Sequence, residues 1–261
     1  MKILVFVKQV PDTDDVKLDP KTGNLKRDGV QTTINPLDAN AVETAVQLKE
    51  KYGATVCAVT MGPPQAKEVL KKALALGCDE AYLLSDRAFG GADTLATAYT
   101  LAKGAEKIGD YDLLLFGRHA IDGDTAQTGP ATASFLNIPQ ITLADSVDIQ
   151  DGWVVCTRVL ESRSERVRAK LPPLVTVCKE INTPRYPTLP NIMKANRKPI
   201  TVWAAADIDA DTNETGMPGS PSSTKKVFEP EKRGTDTVYF IGSVEEMAAQ
   251  LVDMLENERL I

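Results

Sequence analysis

The sequence predicts an α/β fold: a parallel sheet with helices on both faces, followed by a C-terminal extension. Three features predict it. Short continuous apolar runs such as Ile3–Val7 and Leu113–Phe116 suit strands covered on both faces. Between them lie helical patterns of roughly 12–16 residues, which imply right-handed crossovers between parallel strands. Glycine, proline and asparagine punctuate the transitions. With 261 residues the chain is long enough to bury a full core.

In chain order, Ile3–Val7 is the first strand, and its single preceding lysine marks it as a strand rather than a signal peptide. The polar stretch VKLDPKTGNLKRDGV reads as a surface hairpin excursion. Asn35-Pro36 opens a helix, with Asn35 as N-cap and Pro36 in the first position. Leu37, Ala41, Val42, Ala45, Val46 and Leu48 form its apolar stripe and Gly53 ends it. Thr55–Thr60 is a strand, Pro63–Leu76 a helix, and Ala81–Leu84 a strand. A helix from about Asp93 to Ile108 and a strand at Leu113–Phe116 follow. Beyond the next loop and helix the pattern changes. Trp153–Leu160 and Glu165–Lys170 alternate like antiparallel strands, and Leu174–Lys179 is again a buried run. Four prolines in TPRYPTLPNIMKANRKP predict an exposed, partly irregular loop. Residues 209–236 are polar with little to pack. A short strand (Thr237–Ile241) and a terminal helix (Ser243–Glu258) come last, either as an arm toward another subunit or folded back on the chain. The division expected is 1–205 for the α/β domain and 206–261 for the extension.

A net charge of −6 and a pI near 5.0 argue against a general nucleic-acid or membrane-surface binder. No window of 18 apolar residues is present, so no membrane insertion is expected. Cys57, Cys78, Cys156 and Cys178 are widely spaced and without a CxxC pair, as in reduced cytoplasmic core cysteines. With His119 as the single histidine, no metal site is expected. Arg158, Arg163, Arg166 and Arg168 read as a solvated strand face, and Trp153 and Trp203 as packing anchors. Asp12, Asp14 and Asp15 read as a solvated turn.

The most informative segment is YDLLLF followed by GRHAIDGDTAQTGP: a strand that opens through a glycine-rich loop into a helix. Unpaired N–H groups and the aligned peptide dipoles make such a helix start an anion site. Gly117, Gly123 and Gly129 allow close backbone approach, Thr125, Thr128 and Gln127 add polar groups, and Pro130 fits the first turn. Asp122 and Asp124 would repel a phosphate and must point elsewhere. A plain capped helix start is the competing reading. FGGADTLATA repeats the pattern, with Gly90 and Gly91 in the turn and Asp93 or Thr94 as cap. Two such loops at strand ends favour a nucleotide in a Rossmann-like sheet, because ligands of open parallel sheets bind where these loops converge. There is no Walker lysine pattern and no GxGxxG after the first strand. No acid, base or nucleophile stands out, so redox or transfer chemistry would reside on a bound cofactor.

Together, VKQVPDT, NPLDANAVETA, TMGPPQA, GRHAIDGDTAQTGP and PRYPTLPNIMKANRKP resemble the beta (small) subunit of electron transfer flavoproteins along nearly the whole chain. Arg158, Glu161, Glu165 and LPPLVTV also fit the family pattern, but Ser162-Arg163 replaces its usual glycine/acidic turn. The resemblance implies an adenine nucleotide-binding fold and a heterodimer with an alpha subunit that holds FAD. It places FAD, or alternatively AMP, in this chain. The phosphates would lie on Asp122, Gly123, Asp124, Thr125, Gln127, Thr128 and Gly129, the adenosine near Phe6, Asn35, Pro36, Leu37, Asp38 and Met61, and Gly117, Arg118 and Ala120 would also meet the cofactor. VKQVPDT with VKLDPKTGNLKRDGV, Asp38 in NPLDANA, and FGGADTLATA together resemble the electron-bifurcating branch of the family, in which Gly90, Gly91, Ala92, Asp93 and Thr94 would receive NADH. Electrons would then pass to ferredoxin or flavodoxin and, through the alpha-subunit FAD, to a flavin dehydrogenase of acyl-CoA or 2-hydroxyacid type. Residues 184–198 resemble the recognition loop. Thr188, Leu189, Pro190, Asn191, Ile192, Met193 and Lys194 would meet the dehydrogenase, with Leu189 as the inserted knob.

Overall fold

A computed structural model describes residues 1–12, 32–223 and 237–261, in two compact units, Met1–Lys225 and Lys226–Ile261. The first unit is built on a nine-stranded sheet. Its strands are β1 (Lys2–Phe6), β4 (Thr55–Met61), β5 (Glu80–Leu84), β6 (Leu113–Gly117), β7 (Gln140–Gln150), β8 (Trp153–Val159), β9 (Ser164–Lys170), β10 (Leu174–Val177) and β11 (Thr201–Trp203). A separate two-stranded ribbon pairs β2 (Gln9–Pro11) with β3 (Thr32–Ile34). The hairpin expected at 16–30 lies outside the described residues, as do Asp14 and Asp15.

The spatial order is β11-β5-β4-β1-β6-β10-β7-β8-β9. From β1 the chain steps outward through β4 to β5, then returns across β1 to β6, so the winding reverses between β1 and β6. Helices cover both faces, as expected. Ile3, Val5, Leu113 and Leu115 share a core with Ala41, Val42, Val69, Leu70 and Ala195, which belong to α1 (Pro36–Tyr52), α2 (Lys67–Leu76) and α5 (Leu189–Arg197). The alternate residues Leu4, Phe6, Leu114 and Phe116 face Leu101 and Ala105 of α3 (Thr94–Ile108) and Ala133 of α4 (Thr128–Phe135). The period-two alternation thus feeds two cores from each central strand.

Several expectations change. The sheet is mixed, because β7 runs parallel to β10 at its start, bulges after Ala144, and then pairs antiparallel with β8. The β8–β9 hairpin therefore extends the same sheet. It forms despite the Ser162-Arg163 turn, which closes by the Leu160 N–H donating to the Arg163 carbonyl (2.9 Å). Arg158 is not a solvated strand residue: its Nε donates to the Thr142 carbonyl at 2.8 Å and Nη2 to Thr142 Oγ1 at 3.0 Å. Strands β2, β3, β7 and β11 are additions to the elements read from the sequence.

The proline-rich stretch is also more regular than expected. Thr188 caps α5, and Pro190 sits in its first turn, where proline loses no helical bond. The first unit runs on past residue 205, and 209–223 is not poorly packed throughout, since Thr215 and Gly216 are buried. In the second unit, Thr237–Ile241 is irregular rather than a strand, with no ladder partner among the described residues. Helix α6 (Val244–Asn257) starts at a Ser243–Glu246 capping box, and none of its residues is buried.

Candidate functional site

The reversal between β1 and β6 brings the ends of those strands against the first turn of α1. Asp38, in that turn, is buried, and its carboxylate accepts from the Lys8 N–H (2.8 Å) and the Gly117 N–H (3.2 Å). Asn35 occupies the N-cap position, yet its side chain does not cap α1. Instead Nδ2 donates to the His119 carbonyl (2.8 Å) and Oδ1 accepts from the Ile121 N–H (3.2 Å). The N-cap expectation is corrected in this respect: Asn35, fully buried, spends its amide on holding the loop after β6.

That loop, Arg118–Gln127, lies open on the surface. Its carboxylates point elsewhere, as an anion site requires. Asp122 accepts from Lys8 Nζ at 2.7 Å, and Asp124 lies 3.4 Å from His119 Nε2. Asp124 and Ala126 adopt left-handed backbone conformations (φ 47° and 53°), each costing about 1–2 kcal/mol for a residue with a Cβ. The three glycines prove unlike one another. Only Gly123 faces open space. Gly117 is packed against Leu37 and Asp38, and Gly129 against Thr176 and Phe116. Thus Gly117 and Gly129 bring backbone close to protein, where the sequence suggested a ligand.

Helix α4 has no side-chain cap at Gln127. Pro130 lacks an N–H and the Ala131 N–H bonds back to Gln127, which leaves the Thr128 and Gly129 amides unbonded among the described residues. Helix α3 starts beside it, and the Thr94 hydroxyl donates to Gln127 Oε1 (3.2 Å). There Asp93 caps in the ordinary way, accepting from the Leu95 and Ala96 N–H groups at 2.9 and 3.1 Å. Two helix starts therefore meet, one closed by a carboxylate and one left electropositive.

The second glycine-rich loop is held by a segment that reads in sequence as polar with little to pack. The Asp93 N–H donates to Ser220 Oγ (2.8 Å), Ser222 Oγ donates to Asp93 Oδ2 (2.7 Å), and the Met217 N–H donates to the Gly90 carbonyl (3.0 Å). Gly90 and Gly91 are exposed, with Met217 packed beside Gly91, while Ala92, Asp93 and Thr94 are half-buried. Phe6 is buried and stacked on Phe116 (centroids 4.2 Å apart), and Met61 packs into the same core. Lys8, two residues past β1, is a site residue that the sequence pattern does not single out; a lysine at a strand end is the signal for its ion pair with Asp122. Pro36 and Leu37 lie in the first turn of α1, and Arg118 and Thr125 are exposed on the loop.

The model of the electron transfer flavoprotein domain family matches residues 22–208. Among curated proteins, the electron transfer flavoprotein subunit beta of Clostridium acetobutylicum is 48% identical over the whole of both chains. The caffeyl-CoA reductase–Etf complex subunit CarD of Acetobacterium woodii is 47% identical, also over the whole of both. The protein FixA of Bradyrhizobium diazoefficiens is 38% identical over 98% of this chain and 91% of its own. The chain belongs to the electron transfer flavoprotein beta-subunit family. Of the candidate nucleotide residues in this family member, only Phe6 falls outside the span matched by the domain model. Among the described residues, no helix is long and apolar enough to cross a membrane.

Burial pushes the Asp38 carboxyl up to about 7, against the bonds from Asn35, Lys8 and Gly117 that hold it down. An unfolded carboxyl titrates near its ordinary value of 3.8, so between about pH 4 and 7 the native chain binds the proton more tightly. Stability from this group therefore falls as pH rises through that window, by up to about 4 kcal/mol. Asp86, held low by the Ala88 N–H, and Asp148, held low by Lys51, act in the other direction and lose their contribution only as pH falls below the carboxylate range. The Asp38→Asn variant, whose single side-chain oxygen cannot serve both N–H groups, is expected to be less stable at pH 5 but nearly flat from pH 5 to 7.5. Urea midpoints at the two pH values measure this; equal slopes in variant and wild type would count against it.

Proposed function

We propose that this chain binds FAD across the start of α4 and takes hydride from NADH as the beta subunit of an electron-bifurcating electron transfer flavoprotein. The observation that carries the nucleotide reading is the uncapped start of α4 at the β1/β6 reversal, faced by an open loop whose Asp122 is paired with Lys8 and whose Asp124 lies beside His119. The Thr128 and Gly129 amides, with Gly123 allowing close approach, suit a phosphate there. Asn35 and Asp38 hold the strand ends that carry the loop, and the two left-handed residues add strain of the kind that gathers at ligand sites. A bound flavin would supply the redox chemistry, accepting hydride and releasing its electrons singly to ferredoxin or flavodoxin and, by way of the alpha-subunit FAD, to a dehydrogenase. The Gly90–Thr94 loop, next to that start through Thr94–Gln127, is where the nicotinamide nucleotide would be held, on backbone and not on the Asp93 carboxylate, which is spent on its cap and on Ser222.

Two surfaces fit protein partners. Tyr186 (94% exposed), Leu189 (78%) and Met193 (59%) form an apolar patch at the start of α5, with Lys194 alongside, suited to a flavin dehydrogenase. Helix α6 carries Val244, Met247, Leu251, Met254 and Leu255 at helical spacing without burying one of them, suited to the alpha subunit.

The test is the nucleotide content of the purified complex with its alpha subunit. Two FAD and no AMP per heterodimer are expected. One FAD and one AMP would overturn the FAD assignment and make the chain a carrier subunit with a structural nucleotide. Gly123→Val, whose side chain enters open space, is expected to lower nucleotide retention about tenfold without changing the melting temperature. Gly91→Val is a poorer probe, because Gly91 has φ +74° and a Cβ there would lie 3.3 Å from Met217.

A further inference from the structure

The segment leading into α5 is fixed by a polar network on α1 that the site description does not use. Glu43, 6% exposed, accepts from Arg185 Nε (2.8 Å), Arg185 Nη2 (3.0 Å), the Arg185 N–H (3.2 Å) and Gln47 Nε2 (2.9 Å). The same guanidinium donates through Nη1 and Nη2 to both oxygens of Glu50, two turns further along. Arg185 is thus clamped by two carboxylates, each taking two of its donors, a geometry that a lysine cannot reproduce. Burial raises the cost of charge at Glu43, yet the Arg185 and Gln47 bonds hold its carboxyl below the usual range.

Just before this clamp, Asn40 Nδ2 donates to the Lys179 and Asn182 carbonyls (3.2 and 2.8 Å). Asn182 Nδ2 donates in return to the Asn40 carbonyl and to Thr44 Oγ1 (3.1 and 2.9 Å). At the far end of the segment, Ala195 is buried and Lys198 Nζ donates to the Cys78 and Asp79 carbonyls. Between these moorings stand Tyr186, Leu189 and Met193. Two exposed apolar side chains lie within four residues of a doubly clamped, half-buried arginine. That is a rigid mount with an open face.

We propose that Glu43, Glu50 and Arg185 are positioning residues for partner docking: the clamp sets the direction in which Tyr186–Leu189 leave the domain. The inference rests on the docking role assigned above to that patch. It adds that α1 carries both the nucleotide-site floor, at Asn35 and Asp38, and the footing of the docking segment, at Asn40, Glu43 and Glu50. A preorganised anchor loses less freedom on binding, so loosening its mount should weaken encounter without touching the chemistry.

The test uses the complete heterodimer and an acyl-CoA dehydrogenase that the wild-type complex reduces. Arg185→Lys keeps the charge and removes the fork. It is expected to raise the half-saturating dehydrogenase concentration about tenfold, with kcat within about twofold and nucleotide content unchanged. In a Leu189→Ala background, the same substitution is expected to add less than about twofold, because its effect passes through Leu189. Glu50→Gln, on the exposed side of the clamp, should follow Arg185→Lys in direction if folding of the lysine variant is impaired. An unchanged half-saturation in both variants, a fall in kcat alone, or a full effect surviving in the Leu189→Ala background would overturn the proposal. If Leu189→Ala by itself leaves half-saturation unchanged, the docking role falls; if it raises it and Arg185→Lys does not, only the positioning role falls.

Discussion

Replacing Gly117 with alanine is expected to destabilise the chain by about 3 kcal/mol or more and to strip it of nucleotide. A Cβ at this position would press on the Asp38 carboxylate and lie 2.6 Å from the Leu37 carbonyl carbon and 2.8 Å from the Asp38 nitrogen. Two of those three contacts are backbone, so no rotamer change relieves them. Either the first turn of α1 or the end of β6 must retreat. Both movements pull the Gly117 N–H away from Asp38, a buried carboxylate with few alternatives. Loss of the Gly117 donor to the buried Asp38 Oδ1 then adds to the steric cost, with the Lys8 N–H left on Oδ2. The effect extends to the loop, because Asn35, three residues before Asp38, holds His119 and Ile121. Gly123→Ala serves as control: its Cβ meets nothing within 4 Å, and it should fall within about 0.5 kcal/mol of wild type. Urea midpoints of the two variants, read with their nucleotide content, decide the matter. A wild-type midpoint for Gly117→Ala would mean that the α1–β6 junction is looser than the structure has it.

The two glycines show how far local pattern reaches. Both stand in one glycine-rich loop, and nothing within the motif tells that Gly117 is packed against α1 while Gly123 faces open space. The distinction depends on contacts some 80 residues distant in sequence. Elements with strong local signals were legible: the Asn35-Pro36 start and Gly53 end of α1, the Asp93 cap of α3, the apolar runs of β1, β4 and β6. Asn35 was assigned the right position and the wrong bond, since propensity places an asparagine at a helix start but cannot reveal a better acceptor across the fold. β7 was missed because its burial is mixed, one half pairing with β10 and the other with the solvated hairpin, so neither a continuous apolar run nor a clean alternation emerges. Helix α5 was hidden by its prolines, although Thr188-Leu189-Pro190 is an orderly cap and first turn. The 211–222 segment looked unpackable because it packs by hydrogen bonds of Ser220, Ser222 and the Met217 amide, not by apolar side chains. In the candidate site the loop residues were legible by chemistry. Lys8, Glu43 and Arg185 were not, since each draws its meaning from a partner remote in sequence.

Truncating Leu189 to alanine is expected to raise the half-saturating concentration of the partner dehydrogenase about 30-fold, the loss of roughly 2 kcal/mol that marks an anchor residue. Leu189 is the first residue of α5 and is 78% exposed, so within this chain its side chain covers little. Alanine is a good helix former, and the Thr188 cap does not involve the lost atoms. Folding stability should therefore stay within about 0.5 kcal/mol of wild type, and nucleotide content should not change. The cost appears only where the leucine is buried by something else. Pro187 and Pro190 restrict the backbone on both sides, so little conformational freedom remains to be lost on docking. This makes the side chain an efficient anchor and its removal correspondingly expensive. Ile192, partly covered at 36% exposure, is the internal comparison, and its truncation should weaken docking less than that of Leu189. Equal losses at the two positions would point to a diffuse apolar contact. No loss at Leu189, with dehydrogenase turnover intact, would move the docking surface elsewhere and leave the exposure of Tyr186, Leu189 and Met193 to be explained by a different partner.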